Sequence, residues 1–161
     1  MDDPLPVLHV GVAEIRVVDS RHKLVSSALG SCLAVALYEP VKKVGALAHI
    51  MLPSRIRLNG TQPEGKFADN AIPTMLEEMC RAGALRTRIT AKIVGGAQMF
   101  ADDSMASIGE RNVFAVKALL KKTGIRVSGE DTGGSHARTI EFDTGTGQVL
   151  SRSVRFGIKE L

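Results

Sequence analysis

The chain has 161 residues, of which 44% are hydrophobic and 24% are charged, and this balance is typical of a single globular domain covering 1–161. No apolar stretch approaches the roughly 18 residues of a membrane-spanning helix, so membrane insertion is not expected. The net charge is only +4, aromatic residues make up 4% and Trp is absent, which disfavours a nucleic-acid partner because bases need aromatic platforms for stacking. The first six residues lack the basic and apolar segments of a secretory signal, so a cytoplasmic location is expected.

The first half of the chain predicts strands joined by turns. Alternating apolar residues predict one or two strands in 7–18. Continuous apolar runs predict buried strands at 33–38 and 44–52, joined as a hairpin by a turn at 40–43. A polar segment with Gly and Pro, 54–66, predicts a mobile surface loop.

A first helix is predicted from Asp69 or Asn70, either of which is a favourable N-cap, to Arg81. Pro73 is expected in its first turn, where a missing N–H costs little. Gly83 is expected to end the helix, as glycine commonly does by adopting a positive φ.

The second half predicts one more helix among further strands. Ser107 and Glu110 have the spacing of a capping box, which predicts a helix that ends near Thr123 before Gly124. A sharp loop is expected at 130–134. Strands are predicted at 88–94, 125–128, 138–142 and 148–154, the last two forming a hairpin.

In total the pattern predicts seven to nine strands and two main helices. Most strands that follow one another in the chain are expected to pair as antiparallel neighbours. The predicted fold class is therefore α+β, an α/β sandwich in which mixed or antiparallel sheets pack together with the helices outside.

Cys32 is the first residue that could carry chemistry. It follows Gly30 and Ser31 in a small-residue bend at 26–32, directly before an apolar strand. Small residues allow a tight turn and leave backbone N–H groups open, so Gly30 and Ser31 are candidates for binding a substrate oxyanion beside a nucleophilic thiol.

His49 is the candidate base for that thiol. It interrupts the apolar segment 47–51, and the predicted hairpin is expected to place it beside Cys32. A lone Cys at the start of a strand, or a lone His inside one, is more often a packed structural residue than a catalytic one. Because the predicted hairpin places both together, the catalytic and the structural interpretations are about equally favoured. Cys80 is interpreted as structural, beside the apolar face of the first helix. With no cluster of Cys and His, neither a metal nor another cofactor is expected.

Several segments together resemble the CheD family of chemoreceptor glutamine deamidases. The similar segments follow the family's order and span nearly the whole chain: 30–32, 45–53, 66–69, 95–100, 108–112 and 130–134. The resemblance implies an α/β fold whose sheets lie between helices, and a cytoplasmic enzyme that hydrolyses glutamine side chains on the cytoplasmic helices of chemoreceptors to glutamate and ammonia.

The resemblance also implies residue roles and partners. It assigns the nucleophile to Cys32 and the catalytic His to His49, and it places Ser26 where the family typically has a Thr that orients the His. A CheC-type phosphatase is the implied partner, so an alternative function is a regulatory module that binds such a phosphatase. Hydrolysis of receptor glutamyl methyl esters by the same thiol is a third possibility.

Overall fold

The structure is a computed structural model that describes residues 4–54, 62–99 and 108–161. Most of the loop predicted at 54–66 lies outside these residues, as does Ser107 of the predicted capping box. Within them, no helix is both long enough and apolar enough to cross a membrane.

The described strands form two five-stranded sheets. In spatial order, the first sheet contains β1 (Val7–His9), β3 (Lys23–Leu29), β8 (Arg138–Asp143), β9 (Val149–Ser153) and β10 (Gly157–Glu160). In this sheet β1 and β3 are parallel, and the other neighbours are antiparallel.

The second sheet carries the hairpin predicted from the apolar runs. In spatial order it contains β2 (Ile15–Val18), β5 (Val44–Ile50), β4 (Leu33–Glu39), β6 (Thr90–Gly95) and β7 (Arg126–Thr132). Strands β4 and β5 pair along their whole length around the turn at 40–43, which confirms the predicted hairpin. Strand β7 is parallel to β6 because a helix connects them.

Two helices cover one face of the second sheet. They are α1 (Ala68–Arg81) and α2 (Ile108–Lys122), and their buried residues join those of β4 and β5 in one core. The other face of the second sheet packs against the first sheet in a separate core that contains Leu24, Leu47 and Phe142. The α+β sandwich is therefore confirmed. Its layers are helices, second sheet and first sheet, whereas the resemblance implied sheets between helices.

The start of α1 differs from the prediction. Asp69 and Asn70 both lie inside the helix, and Phe67 precedes it with extended backbone and no side-chain cap. The Ala68 N–H donates to the carbonyl of Leu52, so pairing with the end of the hairpin fixes where the helix begins. The predicted cap is wrong for that reason, and Pro73 falls in the second turn. Gly83 follows the helix with a φ of +102°, as predicted.

The described strands number ten, one more than the upper end of the prediction, and some of them begin or end elsewhere than predicted. The segment 26–29, predicted as part of a bend, belongs to β3, where Ser26 pairs with Ile140 across the sheet. Residues 130–132, predicted as a loop, extend β7 through its parallel pairing with β6. Strand β10 has no sequence signal of its own and pairs along the edge of β9. Residues 26–29 and 130–132 are strands because a partner strand distant in the chain is available, which local sequence does not reveal.

Candidate active site

Three strands bring the predicted residues to one end of the space between the sheets. Ser26 comes from β3 of the first sheet, and His49 comes from β5 of the second. Cys32 lies in the bend at 30–32 directly before β4. The thiol packs against the core between the sheets, and side-chain alternation directs His49 to the same side as Leu47, which lies in that core.

Ser26 and His49 form a buried hydrogen-bonded pair. The Ser26 hydroxyl donates to the carbonyl of Val10 at 2.6 Å, and its oxygen lies 2.8 Å from Nδ1 of His49. A hydroxyl has one proton, so with that proton directed to Val10 the oxygen must accept from Nδ1–H. This arrangement assigns the neutral tautomer that leaves a free lone pair on Nε2.

His49 Nε2 is a buried nitrogen in a position to accept a proton. The residue has 0% exposed surface, and no hydrogen-bond partner for Nε2 lies within the described residues. Burial lowers the pKa of the His49 imidazole, because the apolar surroundings disfavour its charged form. The ring is therefore held neutral and available as a base.

Cys32 is one diagonal step from His49 and not directly opposite it. The residue opposite His49 in the hairpin is Ala34, two residues after Cys32. Diagonal neighbours of this kind lie roughly 7–8 Å apart, with their Cβ atoms somewhat closer. The sequence predicted the two residues side by side, and the register offsets them by two residues on the same face. Because Nε2 has no described partner, the thiol does not hydrogen-bond to the ring in this state.

The Cys32 thiol is half-buried, and burial raises its pKa. A raised thiol pKa together with a lowered imidazole pKa disfavours a thiolate–imidazolium pair before substrate binds. Both directions favour a neutral thiol and a neutral imidazole in the resting site.

The bend that carries Cys32 is anchored through three successive carbonyl groups. The N–H of Ala97 donates to the Gly30 carbonyl at 2.8 Å, and the N–H of Gly96 donates to the Cys32 carbonyl at 2.9 Å. The side chain of Asn112 donates to the Ser31 carbonyl between them at 2.9 Å. Because peptide units are planar and trans, holding the Gly30 and Ser31 carbonyls fixes the directions of the Ser31 and Cys32 N–H groups. The N–H of Gly30, predicted as a candidate to bind an oxyanion, instead donates to the Ala28 carbonyl at 3.1 Å.

The sequence analysis did not predict the three hydrogen bonds that hold the bend at 30–32. Gly95, Gly96 and Asn112 entered the sequence analysis only within segments that resemble the family. Both glycines have positive φ, and the turn they form reaches under the bend at Cys32. A contact across about 80 residues of chain leaves no local signal beyond the glycines themselves.

Cys80 does not occupy the position predicted for it. The residue is exposed on α1, so its interpretation as a structural residue of the apolar face is wrong. Its exposure makes it a suitable comparison for Cys32.

Across the described residues, no group of three or more His, Cys, Asp or Glu side chains is placed to hold a metal ion.

Replacing Ser26 by Ala is expected to lower turnover roughly 10–100-fold, by analogy with the hydrogen-bond partners that orient metal-binding histidines. The change frees Nδ1 of His49 and leaves the buried carbonyl of Val10 without its donor. The free energy of unfolding should also fall, by about 1–3 kcal/mol. Steady-state kinetics and urea unfolding measure the two effects. Ser26→Thr keeps the hydroxyl and should retain most of the turnover; equal losses in both variants would contradict the orienting role.

Replacing Gly95 by Ala is expected to destabilise the bend below Cys32. Gly95 has a φ of +119°, and an added Cβ would overlap the Cys32 carbonyl oxygen. Gly83 is a matched control, because its φ of +102° is similar and nothing lies within 4 Å of the added atom. In urea unfolding, Gly83→Ala should cost about 1–2 kcal/mol through backbone strain alone. Gly95→Ala should cost about 3 kcal/mol, because overlap adds to strain. Equal costs would show that the close approach to Cys32 is absent.

Comparison with known proteins places the chain in a class with a shared role in chemotactic signalling. A family model described as CheD chemotactic sensory transduction matches residues 51–153, a span that begins two residues after His49. Curated relatives extend the likeness over nearly the whole chain. A protein of Thermotoga maritima named chemoreceptor glutamine deamidase CheD is 46% identical over 156 residues, which are 94% of this chain and 98% of the relative.

Two further relatives carry the name probable chemoreceptor glutamine deamidase CheD. One, from Desulforamulus reducens, is 44% identical over 94% of this chain and 93% of its own length. The other, from Caldanaerobacter subterraneus, is 43% identical over 95% of this chain and 96% of its own length. The chain belongs to the CheD family.

Proposed function

We propose that this protein is a protein-glutamine deamidase of chemoreceptors, with Cys32 as nucleophile, His49 as general base and acid, and Ser26 as the residue that orients His49. The observation that carries the proposal is the hydrogen-bonded series from Val10 through Ser26 to His49, which leaves the Nε2 lone pair on the side of the sheet where the thiol lies. The names of the relatives supply the substrate class, the side-chain amide of receptor glutamines.

In the first half of the reaction, the sulfur of Cys32 replaces the nitrogen on the carboxamide carbon of the substrate glutamine. His49 Nε2 accepts the thiol proton while Sγ of Cys32 bonds to the carboxamide carbon, and the carbonyl π electrons move to oxygen. The Cys32 N–H, which donates to no described residue, stabilises that oxyanion. The imidazolium then donates its proton to the amide nitrogen, the C–N bond breaks, and ammonia leaves a thioester on Cys32.

The second half of the reaction regenerates the thiol. Water donates a proton to Nε2 as its oxygen bonds to the thioester carbon. The new tetrahedral intermediate collapses with loss of the sulfur, which takes the proton back from His49. The product is the glutamate side chain, and the half-buried thiol is restored for the next turnover.

The half-exposed position of Cys32 supports a protein substrate. Cys32 is partly exposed, so a glutamine side chain that extends from a receptor helix would have to enter only the end of the space between the two sheets. The cytoplasmic helices of chemoreceptors are therefore the proposed substrate, and the cytoplasm is the proposed location. The same thiol would also attack a glutamyl methyl ester, which is a more reactive carbonyl than an amide.

Incubation with a purified receptor cytoplasmic fragment tests the proposal. Ammonia release should accompany conversion of particular glutamines to glutamates, read by peptide mass spectrometry, and methanol release from a methylated fragment would reveal the ester activity. If the wild-type protein binds the fragment or a CheC-type phosphatase but releases no ammonia, the regulatory binding role is the better account and the deamidase proposal fails.

A further inference from the structure

Asn112 links the two segments that carry the catalytic pair. It lies on α2 with 0% of its surface exposed. Its Nδ2 donates to the Ser31 carbonyl and to the Met51 carbonyl, each at 2.9 Å. Ser31 directly precedes Cys32, and Met51 comes two residues after His49. One amide group therefore connects the nucleophile's bend and the base's strand to the same helix.

The orientation of this amide is fixed by its surroundings. Both neighbouring groups are carbonyl oxygens, so only the NH2 group, with its two protons, can face them. Oδ1 has no hydrogen-bond partner within the described residues. All the hydrogen bonding of this side chain in the described structure thus consists of its two donations to Ser31 and Met51.

Holding the Ser31 carbonyl also sets the direction of the Cys32 N–H. The two groups belong to one planar trans peptide, so they point in opposite directions. The carbonyl points to Asn112 on the helix layer, so the N–H points away from that layer, where the thiol packs in the core between the sheets. No hydrogen bond among the described residues uses the Cys32 N–H as donor.

We propose that Asn112 is a positioning residue that aims the Cys32 N–H at the oxyanion formed when the thiol attacks a carbonyl. The inference rests on the proposed function for its natural substrate, since a deamidase forms such an oxyanion. Gly96 and Ala97 hold the flanking carbonyls through backbone groups, which substitution leaves in place. Asn112 holds the Ser31 carbonyl through its side chain, so this hydrogen bond can be removed by mutation.

Two reactions of the same thiol separate this role from a general structural one. Acylation of Cys32 by p-nitrophenyl acetate passes through a tetrahedral oxyanion, whereas alkylation by iodoacetamide does not. Both are measured in the full chain carrying Cys80→Ser, which removes the exposed thiol.

Asn112→Ala is the test variant. Asn112→Ser keeps a small hydroxyl donor and serves if the Ala variant fails to fold. Val116→Ala is the control, because it removes buried volume from the same helix and its side chain has no group that could hydrogen-bond to the bend.

Asn112→Ala should slow acylation roughly 10–100-fold, because one oxyanion donor is no longer held in place. Alkylation should change less than about three-fold between pH 6 and 9, because it forms no oxyanion and His49 is still held by Ser26. Val116→Ala should leave the ratio of the two rates at the wild-type value. Asn112→Ser should fall between wild type and Asn112→Ala in that ratio.

Equal slowing of acylation and alkylation in Asn112→Ala, or no slowing of either, would overturn the inference. The proposed function fails separately, if the wild-type protein is acylated at Cys32 but releases no ammonia from receptor fragments. The small ester requires no receptor, so the two failures are distinguishable.

Discussion

Cys32→Ala should reduce ammonia release from receptor fragments by on the order of 10⁴-fold or more, because no other group of the site replaces the nucleophile. The half-buried thiol is a small part of the core between the sheets, so the variant should fold and still bind the fragment. Ammonia release is measured with a coupled enzymatic assay, and binding is measured by calorimetry. Loss of turnover without loss of binding would separate the chemical role of Cys32 from a role in docking.

Cys80→Ser is the matched control for this variant. Cys80 is exposed on α1, far along the chain from the bend that carries Cys32. Its replacement should leave turnover within about two-fold of wild type, as is usual for surface substitutions. An equal loss in Cys80→Ser, or full activity in Cys32→Ala, would contradict the assignment of the nucleophile.

His49→Asn should lower turnover roughly 10²–10⁴-fold, the contribution of a general acid–base group. The Asn side chain is of similar size and can still hydrogen-bond to Ser26, so loss of the base is separated from loss of packing. The change is measured as kcat with the receptor fragment. Activity equal to that of wild type would show that another group accepts the thiol proton.

The pH dependence follows from the direction of the His49 pKa. Burial lowers the pKa of the folded imidazole below its ordinary value of about 6.5, so the free base persists to more acidic pH. The acid limb of kcat/KM should therefore lie below pH 6.5.

Between the lowered pKa of His49 in the folded protein and its ordinary pKa in the unfolded chain, the unfolded chain binds more protons. The free energy of unfolding should therefore fall as pH falls through this window. His49→Asn should remove this part of the pH dependence, which urea unfolding at several pH values measures.

The hairpin and its two candidate residues were accessible from sequence for a physical reason. Strands β4 and β5 are buried on both faces, so their apolar runs are long, and the turn at 40–43 separates them clearly. A Cys after Gly30 and Ser31 and a His inside an apolar strand are visible against that background. The two-residue offset between Cys32 and His49 was not visible, because it depends on the register that the turn sets.

Ser26 shows where local sequence stops being informative. Its segment looks like a bend, because Ser, Ala and Gly residues follow one another, yet it forms β3 through pairing with β8 more than 100 residues later. Resemblance to a family implied the role of Ser26, and the hydrogen bond between its hydroxyl and the His49 ring is the contact through which it would orient the ring. Asn112 has no comparable signal. A buried amide on an amphipathic helix is recognisable only when the carbonyls it meets are known.

A covalent thioester between Cys32 and the substrate acyl group is the central intermediate of the proposed reaction. Acid quenching during turnover of a receptor fragment, followed by peptide mass spectrometry, detects that adduct. We predict an acyl adduct on the peptide that contains Cys32 and none on the peptide that contains Cys80, with the adduct missing from His49→Asn. Ammonia release that continues in Cys32→Ala, with no adduct on the wild-type Cys32 peptide, would contradict the account.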